Sequence, residues 1–382
     1  MAEESPFSQH IQLLQSGKGF FDTLEKFIHS SSEEIYFQTY IFEKDDTGLQ
    51  IATALLEAAA RGVKIFLLLD AYGSGKLDKK FVDELRAAGI GIKFYGPIFG
   101  KGRFHIGRRL HRKVIVFDKT KAIVTGINIS DNYNEVEGKK PWLDFGVIVD
   151  GNVAYKLRSL CIQRWQKKPF RRMPKEQKPI LPEHRNIKIR QNDWLRRLSQ
   201  ASVTYKREIR RSRHSLLFVG AYFFPGGTIR RLMKRAVDRG VDICVILAAE
   251  SDVPLQRNGI EYLYQWMLRN GIRIYEYLPA NVHGKVLIAD KKFVSIGSYD
   301  LNNLSNYSNI ELNLDISDAD FASSFYQNIE KIIEQDCRLI TREELYKRSN
   351  LWKRFKHWIS YQIVKTLFIL AFWLSNKEDD YQ

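Results

Sequence analysis

The sequence predicts an α/β protein built from two pseudo-symmetric repeats, each a mixed β-sheet flanked by helices, followed by a helical tail. Three observations predict it. The pattern H-x-K-x4-D occurs twice, from His111 through Lys113 to Asp118 and from His283 through Lys285 to Asp290. Strand-like and helix-like segments alternate along each half. The order of segments in the first half recurs in the second, with the two histidines 172 residues apart, as an internal repeat requires. Equivalent strands of such repeats can meet about a pseudo-two-fold axis, which would bring both His-Lys pairs to one pocket at the repeat interface.

Taken in order, residues 7–31 carry Ile11, Leu14, Phe21, Leu24 and Ile28 at helical spacing and predict one amphipathic helix. Residues 34–42 read as a strand, and Asp45-Asp46-Thr47-Gly48 as a turn. A helix over 49–61, a buried strand over 63–70, a helix over about 78–88 and a strand over 90–95 follow. In the second half, 216–224 matches the first strand, with Tyr222 in the place of Tyr40. The helix over 228–239 leads through Arg239-Gly240-Val241 into a strand, as Arg61-Gly62-Val63 does in the first half. The spacing from Gly271 to Pro279 repeats that from Gly89 to Pro97.

The halves also differ. Pro279 stands four residues before His283, whereas Pro97 stands fourteen before His111. The extra segment, 99–110, is basic and glycine-rich, and is expected to be a mobile loop that meets an anion beside the site. Residues 166–195 are rich in Lys, Arg and Pro and read as a linker between the repeats, the alternative being a cover for an edge of the sheet. The domain organisation expected is a first repeat over 1–165, this linker, a second repeat over 196–338 and a tail over 339–382.

In that tail, Trp352-Lys353-Arg354-Phe355-Lys356-His357-Trp358 mixes cations with aromatics, and an apolar run follows Lys365. The run is too short to span a bilayer, which needs about 20 residues. The combination suits a helix lying in the interface of an anionic membrane, the alternative being a helix packed on the protein core or on a second subunit. A net charge of +16 over 382 residues points the same way, to an anionic partner. Cys161, Cys244 and Cys337 are far apart and make neither a metal pattern nor a disulfide framework, which suits a reducing setting. Met-Ala-Glu-Glu-Ser-Pro at the start reads neither as a signal peptide nor as an anchor. No nucleotide or metal motif is present, so no cofactor is expected. No signal for an oligomeric state is present either.

In both motifs four apolar or aromatic residues separate Lys from Asp, and a Gly-containing turn follows. The run reads as a buried strand. Side chains alternate along a strand, so His and Lys two apart share a face. An imidazole beside an ammonium suits a phosphate: one attacks or protonates, the other neutralises oxygen charge. One such match by chance in a chain of this length has odds of roughly a few per cent, and two are far rarer.

The duplicated motif resembles the phospholipase D superfamily. The stretches Tyr40-Ile41-Phe42-Glu43, Pro141-Trp142-Leu143-Asp144, Ser251-Asp252-Val253-Pro254 and Ile310-Glu311-Leu312-Asn313 narrow the resemblance. It is greatest to bacterial phospholipase D-type cardiolipin synthases lacking an N-terminal transmembrane region, over about residues 33–335. The resemblance implies two phospholipase D-like repeats and a two-step phosphodiester exchange through a phosphohistidine. It implies His111 as nucleophile and His283 as general acid and base. Lys113 and Lys285 would hold the non-bridging oxygens, with Asn128 and Ser298 donating hydrogen bonds to them. Asp144 would orient His283, and Glu311 would orient His111. Asp118 and Asp290 would complete the motifs as structural partners at the strand ends.

Two positions depart from the family pattern. Asp300 replaces an Asn, and an ionised Asp cannot donate as an amide does. Asn302 or Asn309 is therefore expected to serve the phosphate there. Leu304 stands where many relatives carry Arg.

The function expected is condensation of two phosphatidylglycerols to cardiolipin and glycerol, by a peripheral protein on the cytoplasmic face of a bacterial membrane. A phospholipase D with water as acceptor, a nuclease of the same superfamily, and a non-enzymatic membrane scaffold are the alternatives. Two lipid-type repeats in one chain and the apolar tail count against nucleic acid as a partner.

Overall fold

The computed structural model describes residues 11–377, except 97–98, 101–102, 105–107, 137, 167–180, 182–183, 194–195, 197, 303–304, 306–308 and 349. For 99–100, 103–104 and 368–377 it describes the backbone alone. Leu304 and much of the basic segment before His111 thus lie outside the described residues, as do most of 166–183.

The first half runs β1 (Ile11–Gln15), α1 (Lys18–Ser30), β2 (Glu34–Thr39), α2 (Asp46–Ala60), β3 (Lys64–Asp70), α3 (Lys79–Ala87) and β4 (Gly91–Tyr95). Short β5 (Phe99–Gly100), β6 (Arg103–Phe104) and β7 (Arg109–Leu110) precede β8 (Lys113–Phe117), β9 (Lys121–Thr125), β10 (Phe145–Asp150) and α4 (Gly151–Trp165). The second half runs β11 (Ile187–Asp193), β12 (Leu198–Ser199), α5 (Gln200–Arg211), β13 (Ser215–Gly220), α6 (Gly227–Asp238), β14 (Asp242–Ala248) and α7 (Pro254–Arg269). It continues with β15 (Arg273–Tyr277), β16 (Lys285–Ala289), β17 (Phe293–Gly297), β18 (Asn309–Ile316), α8 (Ala319–Asp336) and β19 (Cys337–Leu339). The tail forms α9 (Arg342–Arg348) and α10 (Leu351–Lys377).

The first sheet has the order β1-β10-β9-β8-β2-β3-β4. The second contains the same arrangement as β11-β18-β17-β16-β13-β14-β15, with β12 and β19 at its ends. In each, three parallel strands join an antiparallel meander through the motif strand, giving the mixed α/β architecture that the sequence predicts.

Alternation along the motif strands builds the interior. Val114 and Val116 of β8, with Val286 and Ile288 of β16, enter one core shared by both sheets, α4 and α8. Ile115 and Phe117 turn to an outer core of the first half, and Leu287 and Ala289 to that of the second. The period of two thus decides which residues join the repeats and which seal each one.

Asp45-Asp46-Thr47-Gly48, expected as a turn, caps and opens α2, and two outer strands differ from the sequence expectation for one reason. Residues 7–31 are not one helix: β1 pairs antiparallel with β10, and Gly17, at φ 110, breaks the chain before α1. The supposed linker contains β11, which pairs antiparallel with β18. These are equivalent outer strands. Each is completed by a distant partner, so local spacing identified neither.

The tail is partly built into the second repeat. Tyr361 stacks on Phe224 with ring centroids 5.0 Å apart, and Tyr361 and Val364 are buried in the outer core. Glu276 of β15 accepts from Arg338 and Arg348 at 2.8 and 3.0 Å, fixing the start of the tail. Among the described residues no helix is long and apolar enough to cross a membrane.

Candidate active site

Each motif histidine precedes its strand, and the backbone of the opposite repeat holds it there. The amides of His111 and Arg112 donate to the Ile310 carbonyl, and those of His283 and Gly284 donate to the Leu143 carbonyl. The residue after each of those carbonyls is a carboxylate. Because successive residues alternate in direction, binding one backbone aims the next side chain at the imidazole. His283 Nδ1 lies 2.7 Å from Asp144, and His111 Nδ1 lies 3.0 and 3.1 Å from the two oxygens of Glu311. A carboxylate on Nδ1 fixes the proton there, which leaves Nε2 for chemistry.

Both histidines line a cavity of about 750 Å³ between the repeats. Asn128, Asp300, Asn302 and Asn309 share its wall. The two lysines lie beneath, almost fully buried. Lys113 Nζ donates to the His111 carbonyl at 2.8 Å, and Lys285 Nζ donates to that of His283. Asn128 accepts from the Ile41 amide and donates to the Tyr133 hydroxyl at 2.9 Å.

Ser298 takes a role other than the expected one, while Asp118 and Asp290 are structural partners at the strand ends, as expected. Ser298 donates to Glu311 at 2.6 Å and accepts from the Leu312 amide. Its one proton therefore orients Glu311 rather than a phosphate. Asp118 and Asp290 stand away from the cavity, at turns where both adopt left-handed φ. Asp118 accepts from the amides of Ser32, Glu33 and Glu34, and Asp290 accepts from those of Arg213, His214 and Ser215. They clamp the strand entering each sheet and do not touch the reacting centre. In the basic segment Arg108 pairs with Asp193, while Arg109 reaches the cavity wall.

The sequence reading missed an aromatic collar. The rings of Tyr133 and Trp142 lie 5.2 and 6.2 Å from that of His283, and Tyr40 lies 5.0 Å from His111. Tyr222 lies 6.4 Å from His283. The equivalence of Tyr40 and Tyr222 was the available signal; Tyr133 gave none.

The electrostatics are asymmetric. Burial pushes the Asp144 carboxyl up to about 7 against the pull of Lys285. Burial, then Lys285 and Lys113, hold the His283 imidazole well below its ordinary range. Burial alone would raise Glu311, but His111 and the hydrogen bonds from His111 and Ser298 outweigh it and keep Glu311 low. Burial and the charge of Lys285 pull Lys113 down to about 7. Burial thus sets the direction for both Lys113 and His283, and a bound anion would favour the charged form of each.

Asp300 tempers this. Its Oδ1 accepts from the Tyr222 amide, and its Oδ2 lies 3.9 Å from Lys285. Burial raises its carboxyl. Among the described residues no group of three His, Cys, Asp or Glu side chains could hold a metal ion.

Comparison with known proteins follows this geometry. Residues 24–142 and 205–333 match the family described as cardiolipin synthase, PLD-like domain. The chain is 32% identical to cardiolipin synthase B of Escherichia coli, over 95% of its own length and 90% of that protein. It is 33% identical to cardiolipin synthase B of Salmonella typhimurium, with the same shares covered. It is 29% identical to cardiolipin synthase A of Pseudomonas syringae, over 86% of this chain and 68% of that one. Among solved structures, phosphatidylserine synthase of Haemophilus influenzae shares the fold at a TM-score of 0.69 and 12% identity, covering 96% of this chain and 94% of that one.

Proposed function

The chain belongs to the cardiolipin synthase family, within the phospholipase D superfamily, and from that premise we propose that it condenses two phosphatidylglycerols into cardiolipin and glycerol. Nε2 of His111 attacks the phosphorus of the donor lipid, and the phosphorus–oxygen bond to the glycerol headgroup breaks. His283 gives its proton to that oxygen, and glycerol leaves. A hydroxyl of a second phosphatidylglycerol then passes its proton to His283 and attacks the phosphohistidine. The phosphorus–nitrogen bond breaks, and cardiolipin forms.

The observation that carries this reading is the crossed pair of His–carboxylate contacts, Asp144 with His283 and Glu311 with His111. Each repeat lacks half of its own apparatus, so both must close on one phosphorus. Lys113 and Lys285 supply the charge that the transition state needs. A bound phosphodiester offsets that charge, which lifts the depression of His283 and lets it carry the proton that the leaving alcohol takes.

The membrane surface is the second part of the reading. Helix α10 presents Leu351, Trp352, Phe355 and Trp358 outward, with Trp352 at 80% exposure. Aromatic residues alternating with Lys353, Arg354 and Lys356 suit the cytoplasmic interface of an anionic bacterial membrane.

Lipid mass spectrometry of phosphatidylglycerol vesicles incubated with the protein tests the chemistry. Cardiolipin is expected from wild type and none from His111→Ala. Phosphatidic acid alone would make the protein a hydrolase, and unchanged lipid would sink the reading.

A further inference from the structure

A second cavity, of about 600 Å³, lies between α7, α9 and α10 and shares no wall residue with the histidine pocket. Its one carboxylate, Glu261, is already engaged by Arg257 at 2.9 Å and by His357 at 3.0 Å. That leaves three guanidiniums in the wall: Arg269, Arg342 and Arg354. Arg342 is held by donating to the Leu268 carbonyl at 3.1 Å. Arg269 and Arg354 have no carboxylate partner among the described residues. The rest of the wall includes Leu268, Leu345 and the ring of Phe355.

Three exposed cations at the rim of a partly apolar cavity ask for a ligand that is both anionic and apolar. Inorganic phosphate would satisfy the charge and leave the apolar wall wet. A hydrocarbon would cover the wall and leave the exposed arginines to water. A phospholipid does both, since its phosphate takes the guanidiniums and its first acyl carbons take the apolar wall. Phe355 also stacks on Trp358, with centroids 5.9 Å apart, so the cavity opens beside the outward aromatic face of α10.

We propose that this cavity is a second lipid site. It takes the phosphate and proximal acyl carbons of an anionic membrane phospholipid and holds the enzyme on the bilayer while the histidine pocket is free to exchange substrate. The inference rests on the reading of α10 as a membrane-surface helix.

The test compares three full-length proteins: wild type, Arg269→Ala/Arg342→Ala/Arg354→Ala, and Lys64→Ala/Lys79→Ala/Lys80→Ala, which removes equal charge from exposed positions on the first repeat. Each is sedimented with phosphatidylcholine vesicles, with and without phosphatidylglycerol. Wild type is expected to bind only the anionic vesicles. The arginine variant should bind them about a hundredfold more weakly, and the lysine variant about as well as wild type. Turnover of substrate in neutral detergent micelles should be equal for all three, which reports an intact fold and active pocket. If the arginine triple loses micellar turnover, Arg269→Glu and Arg354→Glu singly carry the comparison.

Equal losses in both triples would reduce the effect to overall charge and overturn the site. Unchanged binding by the arginine variant would do the same while leaving the membrane reading standing. Failure of wild type to bind anionic vesicles would remove both. Titration with short-chain phosphatidylglycerol and with glycerol phosphate separates the ligand sources. Equal binding of the two at the arginines would mean a simple anion site and would end the lipid proposal.

Discussion

Asp144 and His283 come from different repeats, yet their side chains meet at 2.7 Å. The contact is enforced by backbone: the Leu143 carbonyl accepts from the amides of His283 and Gly284, so the carboxylate is placed before its own hydrogen bond forms. The same construction joins Glu311 to His111 through Ile310. Asp144→Asn or Glu311→Gln keeps the shape but no longer requires the proton on Nδ1. Turnover should fall by about 10²- to 10⁴-fold, with little change in thermal midpoint. A fall of less than threefold in both variants would show that the carboxylates do not orient the histidines.

Space for that contact is reserved at Gly126. A Cβ there would stand 2.5 Å from one Asp144 oxygen and 2.7 Å from the other. Gly126→Ala must therefore push the carboxylate off His283. Turnover is expected to drop about as far as in Asp144→Asn, roughly 10²-fold or more, in a protein that still folds. Wild-type turnover in this variant would mean that the carboxylate position does not matter.

The direction of proton flow on substrate binding follows from the burial of Lys113 and His283. Burial pulls Lys113 down to about 7 and holds His283 well below its ordinary range. A bound phosphodiester raises both, so binding near pH 7 must take protons up. Lys113, pulled down to about 7, contributes to that net uptake. Calorimetry with a short-chain phosphodiester in buffers of different ionisation enthalpy reads this directly. Net release would contradict the electrostatic picture.

Asp300 is expected to weaken phosphate binding as it ionises. Its carboxylate lies 3.9 Å from Lys285 and competes with substrate for that cation, more so as pH rises. Asp300→Asn removes the competitor. KM for phosphatidylglycerol should fall by about three- to tenfold at neutral pH, and the rise of KM with pH expected of wild type should flatten. A higher KM in the variant would instead make the carboxylate a substrate contact.

What could be read from the sequence was what chemistry and short-range period impose. The histidines and lysines are residue types that phosphoryl transfer demands, and the apolar runs behind them place them on strands, whereas the crossed carboxylates follow only from the family resemblance. The outer strands were hidden because distant partners stabilise them. Ile187 and Ile189 do alternate, but within a stretch otherwise rich in Lys, Arg and Pro. The tail's composition suggested a surface helix, while the packing of Tyr361 on Phe224 depends on a residue far away in sequence. Tyr133 reaches His283 through a local turn over 131–133, where no pattern marks it.

Ser298 is where sequence resemblance and geometry give different expectations that kinetics can separate. A serine that donates to phosphate would affect substrate binding. Here its proton goes to Glu311 at 2.6 Å, and its oxygen accepts from the Leu312 amide at 3.1 Å. Ser298→Ala removes a support of the residue that orients His111, so Glu311 can tilt and leave the imidazole less well aimed. The expected result is a kcat lower by about tenfold with KM nearly unchanged, since loss of one hydrogen bond to a charged group costs about 1.5–3 kcal/mol, of which relaxation recovers part. Ser298→Thr, which retains the hydroxyl, should recover most of the loss. A raised KM with kcat intact would return Ser298 to the phosphate.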